Sequence, residues 1–298
     1  MKLKKRRLRY IAILPSFVTL MNGACGFIAI FFAGRNREFI GRQVFRWSIF
    51  SSQPFNMSSL AFAGYMIFFA MIADTLDGRL ARLTRTTSSF GGQLDSLTDV
   101  ISFGVAPAFL MIKLVEPYLA QITFRSPGFS TLIGRGVFFS AIFYAMCAVV
   151  RLARFNVENE EDESAHMTFA GLPSPAAAGV VVSLVILHEH TLSIMGVRIF
   201  SSFATVTVAT LPLVTFFMGL LMVSRIRYPH LPNQLLRGKK TLPTLLAIFA
   251  SGLLIVWSIH LALVFGFCGF VLFGLFRWIV SSIIKLWRKP SGETTLSE

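Results

Sequence analysis

The stretch DTLDGRLARLTRTTSSFGGQLDSLTD, residues 74–99, places four aspartates between two long apolar parts of the chain. Asp74 and Asp77 are three residues apart, and Asp95 and Asp99 are four apart. On a helix, both spacings put the two side chains on one face. The intervening TRTTSSFGG is rich in turn-forming residues and can reverse the chain. The pattern predicts two antiparallel helices that each present two carboxylates to one point.

The composition predicts an integral membrane protein. Of 298 residues, 54% are hydrophobic and 14% are charged, whereas a soluble domain keeps about a quarter of its residues charged. A net charge of +14 would suggest a nucleic-acid partner in a soluble protein, but the apolar excess outweighs that interpretation. Basic flanks of membrane helices bind anionic head groups and set orientation. We expect membrane lipids, and no nucleic acid, as partners.

The apolar segments predict the fold class. A spanning helix needs about 20 mostly apolar residues. Eight segments of the chain qualify or nearly do so: 11–33, 57–73, 97–115, 133–153, 173–188, 201–223, 242–257 and 259–282. We therefore expect an all-α polytopic membrane protein with one domain over residues 1–289, whose first segment is retained as a helix, and a disordered polar tail over 290–298.

The basic residues predict the orientation. With the N-terminus in the cytoplasm, 20 Lys and Arg residues lie on the cytoplasmic side and eight on the outer side. The basic loop 35–46 is unusual for an outer loop. This orientation puts residues 74–99, the loop 151–172 and the loop 224–241 at the cytoplasmic face.

Carboxylates beside membrane spans are costly. A mid-helix Asp costs about 2.5–3.5 kcal/mol on insertion scales, so four that face lipid would cost on the order of 10 kcal/mol. They must therefore face an internal, wet or ion-filled cavity, where they repel one another unless cations lie among them. Mg²⁺ or Mn²⁺ suits oxygen ligands of this kind. Two such ions are the usual device for moving a phosphoryl group, because they stabilise the attacking and leaving oxygens together.

Small and basic residues accompany the carboxylates. Gly78 and Ala81 remove side-chain bulk from the same face, so that a nucleotide base or a diphosphate can approach the backbone. Arg82 lies one turn after Gly78 and can hold a phosphate. Gly91 opens the next helix and leaves the metal site uncrowded. A helix cap or a surface ion pair, the ordinary role of an isolated Asp pair, does not explain this combination.

The full motif resembles the signature of the CDP-alcohol phosphatidyltransferase family at every position. It reads Asp74-x-x-Asp77-Gly78-x-x-Ala81-Arg82 and, after eight residues, Gly91-x-x-x-Asp95-x-x-x-Asp99. Family enzymes join a CDP-activated group to an alcohol and release CMP. The resemblance implies that the four aspartates hold two divalent ions, Mg²⁺ or Mn²⁺, and that Asp99 is also the base that takes the proton of the alcohol. It implies that Gly78, Ala81, Arg82 and Gly91 border the CDP moiety.

Further segments resemble the membrane-embedded CDP-diacylglycerol–serine branch of that family, of the bacterial and archaeal type. They are PSFVTLMNGACGF (15–27), SLTDVISFGVAPAFL (96–110), RLARFN (151–156), FAGLPSPAAAG (169–179) and VSRIRYP (223–229). The resemblance implies a six-helix core with extra C-terminal helices, and a homodimer in a bacterial-type cytoplasmic membrane. The implied reaction joins CDP-diacylglycerol and L-serine to give phosphatidylserine and CMP.

Several polar residues outside the motif are candidates for substrate binding. Arg151 and Arg154, with Asn156 in the same loop, are candidates for binding the serine carboxylate; alternatively, the two arginines only anchor a helix at the membrane boundary. Asn22, a polar residue inside the first helix, needs a partner in the bundle. It is a candidate ligand of the CDP diphosphate, or the donor of an interhelical hydrogen bond. Ser174, between two prolines, is expected to begin the fifth helix.

Other functions suit part of this pattern. The motif at 74–99 does not identify the acceptor, and glycerol 3-phosphate, phosphatidylglycerol, inositol phosphate or choline suits the same chemistry. An ion-coupled transporter also places acidic groups in its bundle, but such proteins often show inverted repeats and broken helices, which we do not detect in the sequence. A non-catalytic scaffold gives no reason for glycines between the carboxylates.

Overall fold

A computed structural model of the chain describes residues 2–35, 57–84, 89–123, 127–161, 171–194, 198–226, 228 and 258–287. Within these residues the chain forms helices and no strand element. The helices are α1 Lys2–Gly34, α2 Ser59–Thr84, α3 Ser89–Asp99, α4 Ala106–Thr123, α5 Pro127–Glu161, α6 Ser174–Ile194, α7 Arg198–Val223 and α8 Ile259–Trp287. A π-helical segment, Val100–Val105, joins α3 to α4.

The predicted fold class, an all-α polytopic membrane protein, is confirmed. Among the described residues, six helical stretches are long and apolar enough to cross a membrane, and Ser174–His190 is a shorter apolar helix. Together these seven match seven of the eight predicted segments. The predicted helix at 242–257, the loop 36–46 and the tail at 290–298 lie outside the described residues.

Two predicted helix boundaries differ from the structure. The first helix begins at Lys2 rather than at residue 11, so the basic N-terminal residues continue the helix. The predicted segment 97–115 lies inside a continuous helical run from Ser89 to Thr123. The apolar span starts later than the helix because the polar residues of α3 interrupt the apolar pattern. The motif analysis, which began this helix at Gly91, is within two residues of the observed start at Ser89.

Among the described residues, the apolar core contains buried side chains from every helix except α3. Ile67 of α2, Leu110 of α4, Tyr144 of α5, Ile186 of α6 and Leu211 of α7 are all almost completely buried. Many large apolar side chains on the outside of the bundle are exposed, as expected for helices that contact lipid tails. The core therefore fixes the arrangement of the helices that carry the polar motif.

Glycines let α1 approach α3 and the π-helical segment closely. A Cβ added at Gly23 would lie 2.8 Å from Thr98 Cγ2. One added at Gly26 would lie 2.8 Å from the Cα of Ser102. Small residues at helix interfaces allow such backbone contact in membranes. As a result, α1 lies directly beside the helix that carries Asp95 and Asp99.

The π-helical segment begins immediately after Asp99. The backbone N–H of Ala106 donates to the carbonyl of Ile101, five residues earlier, as in a π-helix. The hydroxyl of Tyr144 in α5 donates to the carbonyl of Phe103 over 2.9 Å. This buried bond gives the widened turn a polar partner from α5, so the irregular backbone is satisfied inside the bundle.

A backbone clasp joins the start of α6 to the end of α7. Gly171 has φ of 93°, a left-handed conformation that glycine adopts without strain. Its N–H donates to the carbonyl of Ile226 over 2.9 Å, and the N–H of Leu172 donates to the carbonyl of Leu221 over 3.0 Å. The clasp fixes the position of Ser174, the first residue of α6.

We expect Gly26→Ala to lower the free energy of unfolding by about 1–3 kcal/mol, because the added methyl group meets the Ser102 backbone. The matched control is Gly266→Ala in α8, where an added Cβ meets nothing within 4 Å. Both changes improve helix propensity alike, so thermal unfolding of the two variants in detergent isolates the packing cost. Equal melting temperatures would contradict the close approach of α1.

Candidate active site

Three of the four motif aspartates converge at one point. Asp74 of α2 and Asp95 and Asp99 of α3 each offer a carboxylate oxygen, and these three oxygens lie within 4.8 Å of one another. Asp95 and Asp99 share a helical face because they are four residues apart. Asp99 is buried, while Asp74 and Asp95 are half-buried. We call these three residues the aspartate cluster.

The fourth aspartate lies beside the cluster and is bound differently. Asp77 is buried, and its Oδ2 accepts a hydrogen bond from the hydroxyl of Thr19 in α1. It does not belong to the group of three within 4.8 Å, although it interacts electrostatically with Asp74. Its carboxylate contacts α1, where Thr19 supplies a donor. Of the four predicted metal ligands, the structure thus brings three together.

The buried Asn22 of α1 contacts the predicted base. Its Nδ2 donates to Oδ1 of Asp99 over 2.8 Å, and its backbone carbonyl accepts from the hydroxyl of Ser102 over 2.9 Å. The sequence offered two roles for Asn22, as a ligand of CDP or as an interhelical donor. The structure shows the interhelical bond, and its acceptor is a motif carboxylate.

Arg151 of α5 lies at the same site. Its guanidinium donates from Nη1 to the hydroxyl of Ser174 over 2.6 Å and interacts electrostatically with Asp74 and Asp99. Within the described part of the chain its Nε is buried with no hydrogen-bond partner. By contrast, Arg154, one turn later, is exposed. Of the two candidate arginines, only Arg151 is directed into the bundle beside the carboxylates.

The other candidate residues lie close in sequence to the aspartates or to Arg151. Asn156 accepts from the hydroxyl of Ser96 over 2.9 Å and so ties α5 to α3. Gly78 is exposed and Gly91 is half-buried, and Gly91 is the third residue of α3 rather than its first. Ala81 and Arg82 lie in α2, but their side chains are outside the described part of the structure.

The aspartate cluster suits a divalent cation. Three carboxylate oxygens within 4.8 Å repel one another strongly where helices exclude water. Oxygen-only donors of this kind are the ligands that Mg²⁺ and Mn²⁺ prefer. Asp74, Asp95 and Asp99 would hold such an ion. Arg151 offsets part of the negative charge, but one guanidinium cannot neutralise three carboxylates.

Sequence reasoning missed three hydroxyl residues at the site: Thr19, Ser96 and Ser174. The first had a usable signal, since it lies three residues before Asn22 on one face of an apolar helix. Ser174 was expected only to begin a helix, which it does. Its contact with Arg151 joins residues 23 positions apart, and the sequence carries no signal for it.

Comparison with known proteins identifies the family. The family model for CDP-alcohol phosphatidyltransferase matches residues 12–217, which is more than half of the chain. The chain belongs to the CDP-alcohol phosphatidyltransferase family. The resemblance drawn from the motif is therefore confirmed, and the matched residues include every described residue of the site, from Thr19 to Ser174.

Several similar proteins share one name, CDP-diacylglycerol--serine O-phosphatidyltransferase. The Helicobacter pylori protein is 34% identical over 230 residues, which are 76% of this chain and 84% of the relative. The Methanocaldococcus jannaschii protein is 37% identical over 172 residues, 57% and 65% of the two chains. The Bacillus subtilis protein is 28% identical over 217 residues, 73% and 90% of the two chains. Helix α8 lies beyond the segment that the CDP-alcohol phosphatidyltransferase model matches.

We expect Mg²⁺ or Mn²⁺ to raise the melting temperature of the chelator-treated CDP-alcohol phosphatidyltransferase, since a ligand at 100 times its Kd stabilises the folded state by about 2.7 kcal/mol. Asp95→Asn removes one charge and one ligand, so it should abolish most of this shift without lowering the melting temperature in chelator. Glu116→Gln is the matched control, because Glu116 pairs with Lys113 on an exposed surface. A full cation shift in Asp95→Asn would contradict a cation site at the cluster.

Proposed function

We propose that the chain transfers the phosphatidyl group of CDP-diacylglycerol to the hydroxyl of L-serine and releases CMP. The observation that carries this proposal is the convergence of Asp74, Asp95 and Asp99 inside the segment that matches the family. The choice of serine rests on the shared name of the relatives. The sister acceptors, such as glycerol 3-phosphate, remain outcomes of the test below.

In the proposed step, the serine hydroxyl attacks the phosphorus atom that carries diacylglycerol. A new P–O bond forms to serine, the P–O bond to CMP breaks, and the hydroxyl proton passes to Asp99. A serine hydroxyl is a weak nucleophile at neutral pH, so a carboxylate within hydrogen-bond reach is needed to accept its proton. Two divalent ions bound by the four aspartates would supply charge stabilisation for the attacking and leaving oxygens.

The amino-acid acceptor brings a carboxylate that needs a cation. We propose Arg151 for this role, because it is directed toward the cluster and its Nη1 is held by Ser174. A guanidinium binds a carboxylate through paired N–H groups. Arg154 and Asn156 are the weaker candidates, since Arg154 is exposed and Asn156 already accepts from Ser96.

We also propose which residues surround the nucleotide and which side of the membrane the site faces. Gly78, Ala81, Arg82 and Gly91 are proposed to border CDP, with Asn22 beside them. The site lies at one end of the helix bundle, where the excess of Lys and Arg favours the cytoplasmic side. The lipid tails of CDP-diacylglycerol would stay in the bilayer while the head group enters from the cytoplasm. We also propose a homodimer in a bacterial-type cytoplasmic membrane, on the family resemblance alone.

The detergent-purified protein, given CDP-diacylglycerol and Mn²⁺ or Mg²⁺, is expected to release CMP when L-serine is added. Asp99→Asn should reduce the rate by about 100-fold or more, because general-base catalysis contributes about 10²–10⁴-fold. A chelator should abolish release, and Glu116→Gln should leave it unchanged. Release with glycerol 3-phosphate but not with serine would move the assignment to a sister enzyme, and no release with any alcohol would refute it.

Arg151→Met is expected to raise the KM for serine by about 10- to 100-fold, because a hydrogen bond to a charged group contributes about 1.5–3 kcal/mol. The KM for CDP-diacylglycerol should change little. Arg154→Met is the matched control and should have a much smaller effect, since that side chain is exposed. Steady-state kinetics with each substrate varied in turn measure both constants. The reverse order of effects would assign serine binding to Arg154.

A further inference from the structure

Two polar side chains of α1 reach two different motif aspartates. The hydroxyl of Thr19 donates to Asp77 of α2, and Nδ2 of Asn22 donates to Asp99 of α3. Thr19 and Asn22 are three residues apart and share one face of α1. We propose that they are positioning residues, which fix the carboxylates of Asp77 and Asp99 for cation binding and, if the proposed function is correct, for catalysis.

The burial of these contacts makes them effective. Thr19 is 2% exposed and Asn22 is 0% exposed, while Asp77 and Asp99 are 6% and 7% exposed. A hydrogen bond from a neutral donor to a carboxylate is charge-assisted, and it is stronger where water is excluded. Each bond occupies one oxygen, Oδ2 of Asp77 and Oδ1 of Asp99. The other oxygen of each carboxylate is then held in one orientation.

The contacts are selective within the motif. Each α1 donor binds the second aspartate of a pair, Asp77 after Asp74 and Asp99 after Asp95. Among the residues that the structure describes, the carboxylates of Asp74 and Asp95 receive no hydrogen bond from α1. The structure thus assigns α1 to the second aspartate on each of the two helices that carry the motif.

The position of α1 is itself fixed against the motif helix. The hydroxyl of Ser102, three residues after Asp99, donates to the backbone carbonyl of Asn22. Gly23 allows α1 to contact Thr98, since any side chain there would overlap it. Thr19 and Asn22 are short side chains with few rotamers, so the backbone position determines where their donors point. A rigid helix that carries short donor side chains can hold a reactive carboxylate in one orientation.

This role differs from direct binding of CDP, the first role considered for Asn22. A ligand of the diphosphate, when removed, would weaken the binding of CDP-diacylglycerol. A positioning residue, when removed, would weaken cation binding and lower kcat, while the KM for CDP-diacylglycerol stays near its original value. The two roles therefore separate in the kinetic constants and in a binding measurement that needs no substrate.

The test compares Thr19→Val, Thr19→Ser and Asn22→Leu with the wild-type protein in detergent. Mn²⁺ binding is followed by electron paramagnetic resonance of the free ion, and CMP release is measured with serine and CDP-diacylglycerol. Thr210→Val is the matched control, because the Thr210 hydroxyl bonds only within its own exposed helix face. Thermal unfolding in chelator reports whether each variant is folded.

We expect Thr19→Val and Asn22→Leu to weaken Mn²⁺ binding and to lower kcat by about tenfold each, because hydrogen bonds that orient metal ligands typically contribute about 10–100-fold. The KM for CDP-diacylglycerol should stay within about twofold, because the loss of an interaction made only in the transition state lowers kcat and kcat/KM equally. Thr19→Ser keeps the hydroxyl and should restore both properties, and Thr210→Val should change neither.

Wild-type Mn²⁺ binding and kcat in both Thr19→Val and Asn22→Leu would overturn the proposal. A rise in the KM for CDP-diacylglycerol alone in Asn22→Leu would assign that residue to CDP and overturn its positioning role. If Asn22→Leu does not fold, the comparison of Thr19→Val with Thr19→Ser decides the proposal. If the variants bind Mn²⁺ more weakly but the wild-type protein releases CMP with none of the alcohols tested, the proposed function is refuted and the positioning role stays supported.

Discussion

The mutual repulsion of carboxylates at one end of an apolar bundle is the constraint on which the other features depend. Asp74, Asp95 and Asp99 bring three oxygens within 4.8 Å of one another, where the surrounding helices limit screening by water. Such a group is stable only when cations, hydrogen-bond donors and a positively charged side chain surround it. The structure supplies the last two as Asn22 and Arg151. The cost of the cluster thus explains why polar residues concentrate at this end.

Helix packing places those partners. α1 lies close to the motif helix because glycines stand at the contact, and the clasp at Gly171 places Ser174 where it can bind Arg151. In each case a backbone approach, rather than a long flexible side chain, determines the position of a polar group. Short donors on closely packed helices lose little entropy on ordering, which suits a site that must keep its geometry.

The sequence predicted the fold class, the motif residues and the family, because these depend on local spacing and on apolar length. The four-residue spacing of Asp95 and Asp99 was enough to place both on one face. It did not predict that Asp77 would bind Thr19, or that Arg151 would bind Ser174. Those contacts depend on the distance and rotation between helices that are far apart in sequence. Hydropathy alone began α3 too late, at residue 97, because it cannot separate a polar helix from a loop, whereas the motif analysis began it at Gly91, two residues from the observed Ser89.

The π-helical segment after Asp99 takes up one residue more than regular α-helical turns would hold. Each residue of an α-helix advances the chain by about 100° around the axis, but the widened turn accommodates its extra residue without rotating α3 relative to α4. Removing one residue between Asp99 and Ala106 would restore a regular helix and leave the carboxylates facing α1 and α2, whereas removing one residue between Asp95 and Asp99 would rotate the two carboxylates apart. The number of residues is therefore tightly constrained within α3 and less constrained in the π-helical segment.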